Sequence, residues 1–124
     1  MNTVCIVQAR ITSSRLPGKV MYPLAGHPVI YHVLSRAKQI QGVDRVVVAS
    51  PDDIRSTVIA DTTRSLNVDT FYGSENDVLE RYFLTAINTR ADIIVRITSD
   101  CPLIDPGKCS EVINLLGDAD YASI

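Results

Sequence analysis

The segment from Gln8 to Lys19 gathers the residue types that bind phosphate groups. It reads Q-A-R-I-T-S-S-R-L-P-G-K and places the cations of Arg10, Arg15 and Lys19 close together, with a hydroxyl at Ser13 between them. An arginine presents a planar fork of donors, a lysine presents a mobile point charge, and the N–H groups of a tight loop can form an anion-binding nest. This chemistry suits a triphosphate, and a basic surface loop is the alternative for the same residues.

The known glycine-rich phosphate loops do not describe this segment. A Walker A loop would need glycine in place of Ser13 and a hydroxyl residue in place of Val20, and the G-x-G-x-x-G pattern is absent as well. The phosphate-binding hypothesis therefore rests on side-chain cations rather than on glycines.

A second polar loop, S-D-C-P-L-I-D-P, directly follows a predicted strand and contains Asp100. A carboxylate just past a strand end, in a turn set by Pro102, can point into the cleft at the end of the sheet. Magnesium prefers a few carboxylate oxygens together with phosphates and water, so Asp100 is the candidate metal ligand. The alternative role for Asp100 is to cap a turn, and Asp105 is expected to cap the helix that Pro106 opens.

Charge is distributed unevenly along the chain. Residues 1–43 carry five cations and no carboxylate, so the remainder carries −7 against a total of −2. The total disfavours a nucleic-acid binder, and the asymmetry suits a polyanion at the N-terminal segment with carboxylates elsewhere for a metal. No apolar run approaches the roughly 20 residues of a membrane span, and no signal peptide is evident. We expect a cytoplasmic protein whose Cys5, Cys101 and Cys109 are reduced thiols.

The elements that must position these loops alternate between strand and helix. Continuous apolar segments predict strands, and 3.6-residue periodicity with capping residues predicts the helices between them. The predicted strands are 3–8, 45–50, 69–72 and 92–98; the predicted helices are 28–40, 52–66, 74–90 and 106–116; and 120–124 is the expected start of a further strand. Ser74 is the expected helix cap, with Asp77 as its reciprocal partner.

Alternating apolar strands and helices favour an α/β protein: a three-layer α/β/α sandwich with a mostly parallel sheet. Ligands of such sheets bind beyond the carboxyl ends of the strands, where both polar loops begin. Because the last strand is unfinished, we expect residues 1–124 to be the nucleotide-binding part of one longer domain.

The pattern A-R-x-x-S-x-R-L-P-G-K resembles the signature of the cytidylyltransferases that activate acidic sugars, such as the 3-deoxy-manno-octulosonate and acylneuraminate enzymes. It is most similar to the spore-coat polysaccharide biosynthesis protein F family, which shares Q-A-R at the start. The resemblance implies the nucleotide-diphospho-sugar transferase fold. It also implies that the loop binds CTP, and the nucleotide-binding residues carried over are Ala9, Arg10, Ser13, Arg15 and Lys19.

Two further segments extend the resemblance. The S-D-x-P element is similar to the family's G-D-x-P element, which implies that Asp100 coordinates nucleotide-bound magnesium and acts with Arg15 and Lys19 in catalysis. The stretch G-S-x-x-D-V-L-x-R-Y implies that Ser74 and Arg81 lie near the nucleotide. Residue chemistry alone leaves Ser74 as a helix cap, and Arg81 as either a phosphate ligand or a solvated side chain.

The resemblance implies an enzyme that uses Mg²⁺ to transfer CMP from CTP to an acidic sugar in surface polysaccharide biosynthesis, with a homodimer as a further expectation. This chain alone is expected to bind nucleotide more readily than to turn over. The alternatives are a non-catalytic nucleotide-binding module, a nucleotidyltransferase of another base specificity, and a structural interaction domain without triphosphate affinity.

Overall fold

A four-stranded parallel sheet forms the centre of the protein. The computed structural model describes residues 1–9, 21–51, 58–74, 76–99, 103–117 and 119–122. The sheet order is β5-β4-β1-β6, and its strands are β1 (Thr3–Gln8), β4 (Arg45–Pro51), β5 (Asp69–Gly73) and β6 (Ile93–Thr98). All four predicted strands of the sheet are therefore confirmed to within one residue at either end.

The central strand β1 is parallel to both of its neighbours. Its register places Ile6 opposite Val47 of β4 and opposite Arg96 of β6. From Val4 to Val7 every side chain is fully buried, which explains why the strand is continuously apolar. Each such side chain contributes about 1.5–3 kcal/mol through burial, so β1 is a main source of fold stability.

Helices cover both faces of the sheet. One face packs against α1 (Val29–Ala37), α2 (Val58–Ser65) and α4 (Pro106–Leu116), while Val4 and Ile6 on the other face pack against α3 (Val78–Thr89). The fold is the predicted three-layer α/β/α sandwich. Within the ranges described above, no helix is long and apolar enough to cross a membrane.

A short antiparallel hairpin precedes α1 and was not predicted. It pairs β2 (Pro23–Leu24) with β3 (His27–Pro28). Its two turn residues, Ala25 and Gly26, both have positive φ angles, of 51° and 83°. That conformation normally calls for Asn-Gly or Gly-Gly, so an alanine at the first position gives no hairpin signal.

Several predicted element ends need correction. Helix α1 begins at Val29 and ends at Ala37 rather than at Ile40, because the N–H groups of Gln39 and Ile40 bond to carbonyls only three residues back. The strand predicted from Asp120 is wrong over 120–122, which are not extended in a sheet. The predicted start of α2 at 52 or 53 lies outside the described residues.

Candidate functional site at the carboxyl edge of the sheet

The two polar loops leave the sheet side by side. The N–H of Ala9 donates to the carbonyl of Ala49 (3.0 Å), and the N–H of Ser99 donates to the carbonyl of Gln8 (3.1 Å). Both residues are buried, with Ala9 only 1% exposed and Ser99 only 6% exposed. The parallel ladder thus extends one residue past each strand end and fixes the points from which segments 10–20 and 100–102 depart.

The strand order makes this edge a topological switch point. From β1 the chain passes to β4 and then to β5 on one side, and it later returns to the other side of β1 as β6. The strand order thus reverses between β1 and β6, and open α/β sheets bind their ligands beyond the carboxyl ends of the strands at such a point. Neighbouring strands are about 4.8 Å apart, so segments 10–20 and 100–102 begin next to each other.

Of the predicted site residues, the structure describes Ala9, Ser74 and Arg81. The predicted phosphate ligands and the predicted metal ligand lie outside the described residues: Arg10, Ser13, Arg15, Lys19 and Asp100. What the structure provides for them is the placement of their neighbours Ala9 and Ser99, and their individual roles remain predictions.

Ser74 and Asp77 form two successive caps after β5. The Ser74 hydroxyl accepts a hydrogen bond from the N–H of Asp77 (3.3 Å), and the Asp77 carboxylate accepts one from the N–H of Glu80 (2.9 Å). The N-cap of α3 is consequently Asp77, and the helix begins at Val78. The prediction of Ser74 as the helix cap is wrong by three residues, although Ser74 and Asp77 do contact each other as expected.

Arg81 is a buried side chain. It is 1% exposed, and its Nη1 donates to the backbone carbonyl of Ser74. The alternative that Arg81 is solvated is therefore wrong. The burial of Arg81 is not predictable from residue type, because arginine is rarely buried unless it is paired.

A second arginine, for which no site role is predicted, lies on β6. The Arg96 guanidinium is 5.0 Å from the centre of the Tyr82 ring, a cation–π distance. Burial raises the pKa of the Tyr82 hydroxyl, and the positive charge of Arg96 acts against that rise. The usable signal would have been β-strand alternation, which puts Ile94, Arg96 and Thr98 on one exposed face of β6.

Cysteine chemistry has no visible part in this site. Cys5 and Cys109 are free thiols, Cys5 being fully buried in β1 and Cys109 partly buried in α4. This agrees with the expectation of reduced thiols for these two residues, while Cys101 lies outside the described part of the chain.

The metal prediction depends on Asp100. Among the residues that the structure describes, no three His, Cys, Asp or Glu side chains are grouped so as to hold a metal ion. Magnesium bound through a nucleotide needs only one or two carboxylates in addition to phosphate oxygens and water. A single aspartate at the start of the 100–102 segment is a sufficient protein donor for that mode of binding.

A separate surface cleft of about 480 Å³ lies between α1 and α2. Its described lining comprises His27, Pro28, Tyr31, Asp61, Thr62, Ser65 and Leu66, and Ala9, Ser74 and Arg81 are not among them. His27 stacks on Tyr31 at 3.9 Å, a contact that accounts for both rings structurally. The carboxyl edge is the better candidate, because two loops with suitable chemistry begin there.

The fold and the carboxyl edge of its sheet together define the class of protein. It is an α/β protein whose candidate ligand site lies at the carboxyl ends of the strands of a parallel sheet. Comparison with known proteins identifies the family. The cytidylyltransferase family profile matches residues 4–124, and the chain belongs to this family. The resemblance drawn from the Gln8–Lys19 segment is thereby confirmed.

Relatives and solved structures agree with this assignment. The 8-amino-3,8-dideoxy-manno-octulosonate cytidylyltransferase of Shewanella woodyi is 36% identical over 116 residues, which are 93% of this chain and 47% of that protein. The structure of a cytidylyltransferase from Leptospira borgpetersenii superposes with a TM-score of 0.91 at 32% identity, over 97% of this chain and 50% of the other.

A structure of CMP:2-keto-3-deoxy-manno-octonic acid synthetase complexed with CTP is also similar. It has a TM-score of 0.82 and 28% identity over 95% of this chain and 48% of its own. The chain spans about half the length of the curated relatives it matches.

Proposed function

We propose that this chain supplies the CTP-binding part of an enzyme that transfers CMP to an acidic sugar for surface polysaccharide synthesis. The observation that carries the proposal is the pairing at the switch point, where Ala9 and Ser99 hold the starts of segments 10–20 and 100–102 beside each other. Membership in the cytidylyltransferase family supports it, as does the similar synthetase that was solved with CTP.

In this proposal the basic loop holds the triphosphate. Arg10, Arg15 and Lys19 bind phosphate oxygens, and the Ser13 hydroxyl and the backbone at Ala9 complete the loop's contacts with the nucleotide. Three cations offset most of the charge of a triphosphate, which explains why this loop has no acidic neighbour in sequence. The base end of the nucleotide lies towards β5, near Ser74.

The reaction is an in-line displacement at phosphorus. A sugar hydroxyl oxygen attacks the α-phosphorus, a new P–O bond forms, and the bond from that phosphorus to the bridging oxygen breaks. The bond electrons leave with pyrophosphate, and the hydroxyl proton is released. The contributions of Arg15 and Lys19 are orientation and stabilisation of the charge that develops on the leaving pyrophosphate.

Asp100 is the residue of this chain that would hold Mg²⁺. When bound, the ion supplies charge neutralisation at the phosphates. The role of the Asp100 carboxylate itself is to hold the positive charge of Mg²⁺ at the start of the 100–102 segment, across the switch point from the basic loop.

Calorimetric titration with nucleotides in the presence of Mg²⁺ tests the proposal. CTP should bind more tightly than ATP, GTP or UTP. Replacing Asp100→Asn should weaken CTP binding by about tenfold or more, as loss of a group that supports a metal site does. The matched control is Asp105→Asn. Asp105 lies five positions after Asp100 and caps α4 by accepting from the N–H groups of Gly107 and Lys108. The control removes the same charge and should bind CTP normally.

Absence of CTP binding to the unaltered chain, or equal losses in the two aspartate variants, would overturn the proposal. Turnover is measured separately, as pyrophosphate release with candidate acidic sugars. Preference for another nucleotide would instead assign the chain a different base specificity.

A further inference from the structure

The buried side chain of Arg81 connects helix α3 with the exit of strand β5. Its Nη1 donates to the carbonyl of Ser74, the first residue after β5, and the side chain is 1% exposed. A guanidinium that is removed from water retains its charge, so its hydrogen bond to a carbonyl is of the strong, charge-assisted kind. The contact joins residues seven positions apart in the chain.

Gly73 makes room for this arginine. A Cβ added at Gly73 would lie 2.9 Å from Cγ of Arg81, which is closer than side-chain carbons approach each other. The last residue of β5 must therefore lack a side chain for the Arg81 stem to pass. This dependence explains the G-S-x-x-D-V-L-x-R spacing in physical terms, since the glycine and the arginine form one packed unit.

Two further hydrogen bonds link Ser74 to Asp77 and Asp77 to Glu80. The Ser74 hydroxyl accepts from the N–H of Asp77, and the Asp77 carboxylate accepts from the N–H of Glu80. Arg81 thus binds the carbonyl of Ser74, and the hydroxyl of the same residue accepts from Asp77. These contacts hold Ser74 and Asp77, the Ser74–Asp77 pair, against the start of α3.

The Ser74–Asp77 pair follows β5 at the carboxyl edge of the sheet, the edge from which the two polar loops depart after Ala9 and Ser99. Strand β5 is separated from β1 by β4 alone, so its end is about 10 Å from the end of β1 at the usual strand spacing. A nucleoside triphosphate with its phosphates at the β1–β6 switch point is long enough to extend its base to that distance.

We infer that Arg81 is a positioning residue, which holds the Ser74–Asp77 pair in place for the nucleotide through the Ser74 carbonyl without touching the nucleotide itself. The inference rests on the proposed CTP site. It replaces a direct phosphate contact by Arg81 with an indirect role, because the residue is 1% exposed and its Nη1 donates to the Ser74 carbonyl.

Three variants of the chain test the inference. Arg81→Met keeps the stem and removes the donor, Arg81→Lys keeps a charged donor, and Gly73→Ala displaces the stem. The matched control is Arg64→Met, since Arg64 is an exposed arginine paired with Asp61 on α2. Each protein is examined by hydrogen exchange without ligand, by thermal unfolding, and by titration with CTP and Mg²⁺.

We expect Arg81→Met and Gly73→Ala to speed exchange of the Asp77 and Glu80 amides by about tenfold or more, as loss of a charge-assisted hydrogen bond would. CTP binding should weaken in the same two variants, and Arg81→Lys should recover part of both effects. The melting temperature of Arg81→Met should fall, because the Ser74 carbonyl loses its charged donor. CTP titration is therefore performed well below the melting temperature of every variant, where a merely structural arginine would leave the affinity of the folded protein unchanged.

Two results would overturn the inference. One is unchanged exchange of the Asp77 and Glu80 amides in Arg81→Met. The other is CTP affinity equal to that of the unaltered chain once faster exchange has been observed. If the unaltered chain fails to bind CTP, the proposed function is wrong. The exchange measurements still decide whether Arg81 holds the Ser74–Asp77 pair in place.

Discussion

At the scale of single residues, the buried thiol of Cys5 makes the fold less stable as the pH rises into the alkaline range. Burial in β1 raises the pKa of its thiol from 9.0 to about 12, with the nearby Cys109 adding to the rise. The unfolded chain releases this proton above pH 9, whereas the folded chain retains it. The part of the unfolding free energy that comes from burying the protonated thiol is therefore fully present below pH 9. It is lost between pH 9 and 12, by about 1.4 kcal/mol per pH unit.

Denaturant unfolding of the unaltered chain and of Cys5→Ala checks this prediction. Between pH 7 and pH 10.5 the unaltered chain should lose about 2 kcal/mol more of its unfolding free energy than the variant. Comparing the two proteins cancels the lysines and tyrosines that titrate in the same range. Parallel pH profiles for both proteins would show that the Cys5 thiol is not held protonated by the fold.

Residue-scale roles were predictable where chemistry and location agree, and less so where burial decides. Asp105 was predicted as a helix cap, and its carboxylate does accept from Gly107 and Lys108. Arg81 was expected to be either a phosphate ligand or solvated, yet it is enclosed. Sequence could not reveal this, because enclosure depends on the absent side chain at Gly73 and on the path of the turn.

At the scale of elements, helix α3 ends in a conformation that its sequence does not favour. Arg90 follows Thr89 with φ of 55° and ψ of 43°, the left-handed region. Replacing Arg90→Gly should stabilise the fold by about 0.5–1 kcal/mol, because relief of the left-handed strain exceeds the added entropy of the unfolded chain. The measurement is the unfolding free energy in denaturant.

The control for this prediction is Asn88→Gly, two residues earlier in the same last turn. There the backbone is helical, so glycine should destabilise by roughly 0.3 kcal/mol relative to asparagine, which is itself a weak helix former. Opposite signs at positions 88 and 90 are the expected outcome. Destabilisation at both positions would mean that the Arg90 side chain contributes more to the helix end than its backbone strain removes.

Strands and helices were predicted well because their signals are local. The apolar runs of β1, β4, β5 and β6 and the periodicity of the helices needed no knowledge of the tertiary structure. The ends were harder. Ser74 and Asp77 are both good caps, and only the path of the chain after Gly73 makes Asp77 the N-cap of α3.

At the scale of the whole molecule, the sheet order separates a rigid centre from two edges. β1 and β4 each pair with strands on both sides, whereas β5 and β6 each pair with one strand within the described ranges. Strands pairing on both sides, with side chains buried on both faces, open only when the whole fold opens. In the proposed function the CTP site spans this sheet, with the phosphates at β1 and the Ser74–Asp77 pair at the edge strand β5.

Hydrogen exchange on the unaltered chain should reflect that arrangement. The amides of Val4–Val7 and of Val47–Ala49 should exchange only through global unfolding, and their rates should follow the unfolding free energy measured in denaturant. The amides of β5 and β6 should exchange faster, through local opening at the edges. If β6 were as protected as β1, its outer edge would have to be covered, which would place a further element of the fold or a second copy of the chain beside it.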